Sequence, residues 1–147
     1  MKLVEWNESF SVGNVLMDAH HRVFFEMIKE FSELPDKNNR DAIKKRIEFL
    51  LEYAAMHLGA EEKLMLQANY PGFDCHKAVH DAFVQKLLSI KASFDKDPTS
   101  IAADNIMKIM QDWLVEHIVG SDKRYMPMSR NCRVNPDGLQ ADRSNSN

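Results

Sequence analysis

The sequence predicts an all-α protein: an up-down-up-down four-helix bundle with an N-terminal arm and a C-terminal tail. Three observations carry that expectation. Four long stretches repeat apolar residues at helical spacing, and the segments linking them are short enough to make consecutive helices antiparallel neighbours. The 147 residues hold only 5 Gly and 5 Pro, fewer than an all-β domain with many tight turns would use. Hydrophobic residues make up 44% and charged residues 28%, enough apolar material for one core and ordinary for a single globular domain.

Residues 1–13 keep no sustained period and read as an extended arm. The first helix runs from about Val15 to Leu34 and is closed by Pro35-Asp36. The second runs from about Asn39, a suitable cap, to Ala68, where Tyr70-Pro71-Gly72 breaks the pattern. The third covers about Phe73 to Phe94. For the fourth, Asp97 reads as the N-cap with Pro98 at the first helical position, and the pattern runs to about Gly120. Residues 1–128 form the bundle in this reading. Residues 129–147 change character: Val134 and Leu139 are their only large aliphatic side chains, so they read as a polar, flexible tail without chemistry of its own.

Charge and ends narrow the function. Nineteen Lys+Arg against 22 Asp+Glu give a net charge of -3, so no basic excess exists to neutralise a phosphate backbone, and no nucleic-acid partner is expected. No run of 18 apolar residues occurs, so no membrane insertion is expected. The N-terminus is interrupted by charge at once, unlike a secretory signal. Cys75 and Cys132 lie far apart, make no metal-type pair, and read as unpaired thiols of a reducing compartment. The expectation is a cytoplasmic protein.

The inward stripe of each helix is the informative feature. Met17, His21, Phe24, Ile28 and Phe31 form the first; Ile43, Ile47, Leu50, Ala54, His57, Glu61 and Leu64 form the second. Phe73, His76, His80, Phe83, Leu87, Ile90 and Phe94 form the third, and Ile106, Met110, Trp113 and His117 the fourth. Steps alternating between three and four are those of a buried helical seam. His21, His57, Glu61, His76, His80 and His117 therefore stand where the pattern calls for apolar groups.

A single histidine on such a face is ordinarily a hydrogen-bonded core residue. Five of the six histidines on four seams are another matter, because each buried polar group without a partner costs a few kcal/mol. Their heights agree as well: the start of helices one and three and the end of helices two and four meet at one end of an up-down bundle. A metal centre satisfies such a layer, since imidazole and carboxylate are both good ligands and carboxylates can bridge two ions. Asp122 lies five residues after His117, about 140° off the face of an ideal helix, so it joins only if the helix ends or distorts there. Gly120 makes a local bulge reasonable. His20 points away from His21, and Glu62 lies off the seam beside Glu61, so neither belongs to the ligand set.

Five imidazoles with one or two carboxylates exceed the needs of one tetrahedral zinc and suit two metals. The ferritin-like pattern uses Glu-x-x-His motifs, which are missing from this cluster. The arrangement resembles the hemerythrins, specifically their bacterial single-domain members. The matching stretches are Trp6 with Gly13, Asp18-Ala19-His20-His21, His57-Leu58-Gly59-Ala60-Glu61-Glu62-Lys63-Leu64-Met65, Tyr70-Pro71, His76-Lys77-Ala78-Val79-His80 and Trp113 through Asp122. They span about residues 1–126, and Ala19 and His20 are departures that replace no ligand.

The resemblance implies a non-haem centre of two iron ions, one held by His76, His80 and His117 and the other by His21 and His57. Glu61 and Asp122 would bridge them together with an oxo or hydroxo group. One position at the second iron would stay open, and dioxygen would bind there reversibly. Phe24, Phe25, Met65, Trp113, Leu114 and Ile118 are placed within a turn of these ligands and would wall the oxygen pocket. They also read simply as bundle core. The sequence holds no Ser/Cys–His catalytic arrangement and no Gly-rich phosphate loop, so carriage fits better than catalysis. The expected protein is a monomer that stores or delivers dioxygen or supplies it to an oxygen-using partner enzyme. Two other functions stay open: a di-iron redox enzyme acting on peroxide or nitric oxide, and an oxygen or iron sensor.

Overall fold

In a computed structural model, the described residues are 2–124 with the segments 133–134 and 140–141. Four helices dominate: α1 (Val15–Ser32), α2 (Arg40–Gln67), α3 (Phe73–Lys96) and α4 (Ala103–Glu116). α2 packs on α3, α1 on α4, and α1 on α2, which is the neighbour order of an up-down-up-down bundle. No helix among the described residues is long and apolar enough to cross a membrane.

The helix ends follow local chemistry. Asn14 caps α1 by accepting from the N–H groups of Leu16 and Met17, and Asn39 caps α2 by accepting from Ala42. α2 ends in a Schellman turn. Asn69 takes φ +50°, its N–H donates to the Leu66 carbonyl, and the Tyr70 N–H donates to Met65. Gly72 follows against the Tyr70 ring, where an added Cβ would stand 2.8 Å from ring atoms.

The start of the last helix differs from expectation. Asp97 closes α3 rather than opening α4, and its carboxylate accepts from the Thr99 N–H and hydroxyl in a local turn. The chain crosses Pro98–Ile101 in non-helical conformation, so α4 begins at Ala103. An Asp-Pro-Thr-Ser run offers side-chain-to-backbone bonds that compete with helix, and here the turn wins.

The core matches the seam. Phe31, Ile28, Ile43, Ile47, Leu50, Leu87 and Ile106 are fully buried, each worth about 1.5–3 kcal/mol relative to exposure. Two seam positions differ, since Leu64 and Phe73 are only half-buried while Met65 is fully buried. The N-terminal arm is not free. Gln111 on α4 accepts from the Val4 N–H at 2.8 Å and donates to the Lys2 carbonyl at 3.1 Å. Asp18 accepts from the Ser11 hydroxyl and the Val12 N–H, while Gly13 turns the chain at φ +76°, a conformation that favours glycine.

Beyond the bundle, β1 (Arg133–Val134) pairs antiparallel with β2 (Gln140–Ala141) inside the stretch read from sequence as a flexible tail. The rest of that stretch lies outside the described residues. The unpaired-thiol expectation does not hold for Cys75, which is disulfide-bonded. Spacing along the sequence carries no sign of distance in space, which is why it misled here. Cys132 lies outside the described residues.

Candidate metal centre

The bundle brings seven ligand-type side chains together at one end, as the matched heights require. His21 rides on α1, His57 and Glu61 on α2, and His76 and His80 on α3. His117 and Asp122 follow α4. All seven are at most 2% exposed. Asp122 arrives by the distortion its spacing demands. After Glu116 the backbone widens into a π-helical turn over His117–Ser121, and the Asp122 N–H donates to the His117 carbonyl five residues back. That wider turn returns Asp122 to the side of the bundle that His117 faces.

Two groups of candidate ligand atoms form, each drawn within 4.8 Å: Glu61, His76, His80, His117 and Asp122 in one, and His21, His57, Glu61 and Asp122 in the other. The carboxylates are common to both, and each divides its oxygens between them. Glu61 Oε1 lies 2.6 Å from His76 Nε2, 3.2 Å from His80 Nε2 and 3.7 Å from His117 Nε2, whereas Oε2 lies 3.7 Å from His57 Nε2. Asp122 Oδ1 lies 3.0 Å from His117 Nε2 and 3.3 Å from His76 Nε2, and Oδ2 lies 3.1 Å from His21 Nε2.

His80 Nε2 and His117 Nε2 lie 2.9 Å apart, a hydrogen-bond distance, but most of the other inward-facing atoms are left over. Both oxygens of Glu61 and of Asp122, and the Nε2 atoms of His21 and His76, are buried with no directed hydrogen bond among the described residues. Buried polar atoms are almost always satisfied. Buried nitrogen and oxygen atoms left over at such close quarters are what cations require, so the donor set fits a pair of metal ions. Mixed nitrogen and oxygen ligation is compatible with iron.

The electrostatics describe what protons do when no metal is bound. Burial and the neighbouring Asp122 push the Glu61 carboxyl up, but contacts with His117, His76 and His80 overcome this and hold it well below the usual range. Burial likewise works against Asp122, and His117, His21 and His76 hold it low. Burial pulls His76 down, yet its contacts with Asp122 and Glu61 win and raise it to about 10. His117 is raised against burial by Asp122 and Glu61. His57 goes the other way, pushed by burial down to about 3 despite Glu61. Two ionised carboxylates thus draw protons onto imidazoles in the positions a cation would neutralise.

The six expected pocket residues are all buried. Trp113 stacks on the His117 ring at 4.3 Å and on Phe83 at 3.7 Å, and the Phe24 ring meets His57 edge-on at 5.3 Å. Phe25 packs at 5.0 Å against Phe10 and lines a cleft beneath the arm, with Trp6 and Arg22. Met65, Leu114 and Ile118 are buried at 0–3% exposure.

Two residues set aside in the sequence touch ligand rings from behind. His20 Nδ1 lies 3.1 Å from His57 Nδ1, and Glu62 Oε1 lies 2.9 Å from His80 Nδ1. Neither reaches the group of inward-facing atoms. Adjacency in the chain was the one available signal, because a residue beside a seam position can reach the next helix's ring from the flank.

A helical bundle with five buried imidazoles around two shared carboxylates at one end defines a metal-binding four-helix protein. The family model for the Hemerythrin HHE cation binding domain matches residues 12–129, and the chain belongs to that family. It is 31% identical over 128 residues to a bacteriohemerythrin of Methylococcus capsulatus, covering 86% of this chain and 97% of that one. It is 32% identical over 121 residues to a myohemerythrin of Theromyzon tessulatum, covering 82% and 89%. A crystal structure of wild-type hemerythrin superposes with a TM-score of 0.79 at 29% identity, covering 88% of this chain and all of that one.

Proposed function

We propose that the site holds two iron ions and that the chain binds dioxygen reversibly there. His76, His80 and His117 would hold one ion, His21 and His57 the other, and Glu61 and Asp122 both. The observation that carries this reading is the division of each carboxylate's oxygens between the two groups of imidazoles. When bound, the iron pair supplies the two electrons that dioxygen takes up and gives back.

The chain's own residues supply the rest. The carboxylates neutralise cationic charge in a site whose ligands are almost wholly buried. Trp113 fixes the plane of His117 by stacking, and the edge of Phe24 meets His57. An apolar wall of Phe24, Met65, Trp113, Leu114 and Ile118 would admit a small neutral gas and exclude water and charged reductants, whereas Phe25 turns to the cleft beneath the arm. The titratable groups of the two ligand clusters are the ligands themselves, so a general acid to drive turnover is not provided by this set. Carriage is favoured over redox catalysis on that ground.

Residues 1–128 form the functional unit in this reading, and 129–147 an appendage. A monomer that exchanges dioxygen with an oxygen-using enzyme, and does not bind nucleic acid, suits the net charge of -3. The cytoplasm is the compartment we propose.

The test is optical. The iron-loaded chain is reduced without air, then exposed to air and returned to argon. A visible band that appears with air and vanishes under argon over repeated cycles supports carriage. Rapid one-way oxidation with release of peroxide supports the redox-enzyme alternative.

A further inference from the structure

His20 is exempt from the ligand set, yet it is held in a specific place. Its Nδ1 lies 3.1 Å from Nδ1 of His57, a hydrogen-bond distance between two nitrogens of which only one can carry the proton. The backbone beneath it is anchored independently: the Tyr53 hydroxyl donates to the His20 carbonyl at 3.1 Å. The Tyr53 ring also meets the His20 ring edge-on at 6.1 Å and Phe24 at 4.9 Å. Phe24 in turn meets His57. His20 and Phe24 thus flank the His57 ring, Tyr53 braces both of them, and His20 is the member within hydrogen-bond distance of it.

We propose that His20 is a positioning residue for the centre: its bare Nδ1 accepts the Nδ1–H of His57 and so fixes the tautomer in which His57 Nε2 is free to hold metal. The inference rests on the reading of His57 as a ligand. A neutral imidazole that gives one nitrogen's lone pair to a metal bears its proton on the other, and a partner for that proton orients the ring. His57 Nε2 faces Glu61 Oε2, so Nδ1 is the outer nitrogen, and His20 is the partner found there. On the other metal position the same service is performed by a carboxylate, Glu62 Oε1 on His80 Nδ1 at 2.9 Å. The two positions are therefore backed by unlike acceptors, a neutral ring behind His57 and a carboxylate behind His80. The metal position served by His57 depends on His20 and not on Glu62.

The experiment compares His20→Leu with His20→Asn in the full iron-loaded chain. The two replacements have nearly the same shape, but Asn carries an oxygen where His carries Nδ1, and Leu carries none. Release of iron to a chelator is followed together with exchange in D2O of the iron-shifted imidazole N–H protons in the NMR spectrum. His20→Leu should release one of the two irons roughly 10- to 100-fold faster and exchange one N–H faster. His20→Asn should restore both towards wild type. Wild-type release in His20→Leu, or equal impairment in both variants, would overturn the proposal while leaving the two-iron reading intact. A wild-type chain that takes up no iron would overturn that reading and this proposal with it. Should His20→Leu fail to fold, nitrogen-15 spectra of the wild type decide: a proton on His57 Nδ1 with His20 Nδ1 bare supports the proposal, and the reverse placement overturns it.

Discussion

Replacing Glu61 by Gln tests the division of its oxygens most sharply. The carboxamide keeps the size of the side chain, so no cavity opens, but it removes the charge and converts one oxygen into an NH2 that cannot hold a cation. Glu61 is common to both groups of candidate ligands, whereas each histidine belongs to one. Loss of Glu61 should therefore empty both positions. Each site occupied at a free-metal concentration 100 times its Kd adds about 2.7 kcal/mol to stability, so losing two removes about 5 kcal/mol. In a chain of this size about 3 °C of melting temperature follows each kcal/mol, which gives a fall of roughly 15 °C. Iron per chain is read by elemental analysis and melting by circular dichroism, with metal-stripped wild type as reference. Glu61→Gln should match that reference in iron content and melt no higher than it, because it also loses the carboxylate's contact with His76. A variant that keeps one tightly held iron per chain, with a fall of only about half that size, would refute the claim that Glu61 serves both positions.

His117→Ala should cost iron and stability together, because metal binding is coupled to folding; full iron content in that variant would remove His117 from the ligands. Leu114→Ala should keep its iron but widen access to the site and speed autoxidation, and an unchanged autoxidation rate would take Leu114 out of the pocket wall. The metal-free chain should respond to pH in two directions. His76, raised in the fold from 6.5 to about 10, adds stability that is full below 6.5 and lost as pH rises through 10. His57, lowered from 6.5 to about 3, removes stability as pH falls below 6.5. Melting temperature without metal should thus peak near neutrality and fall by pH 10. The iron-loaded chain should lack the alkaline fall, and a flat alkaline limb in the metal-free chain would contradict the assigned contacts.

Most of the bundle was legible because burial repeats every three or four residues. The same arithmetic exposed the site, since His21, His57, Glu61, His76, His80 and His117 interrupt apolar seams at one height. Asp122 was legible as a requirement: five residues from His117 can share its side only through a widened turn, and the π-helical segment His117–Ser121 is that turn. What was not legible depends on space rather than spacing. The start of α4 turned on whether the Asp97 carboxylate would cap a helix or close a turn with Thr99, and both are local options for the same residues. The reach of His20 to His57, and of Glu62 to His80, depends on the height and rotation of a neighbouring helix. The disulfide at Cys75 is likewise a fact of three-dimensional proximity.

Anomalous diffraction at the iron absorption edge, from crystals grown with ample iron, addresses the central claim most directly. Two peaks are predicted, both beside Glu61 and Asp122, one flanked by His76, His80 and His117 and the other by His21 and His57. A single peak, or none, with those side chains in place would contradict it.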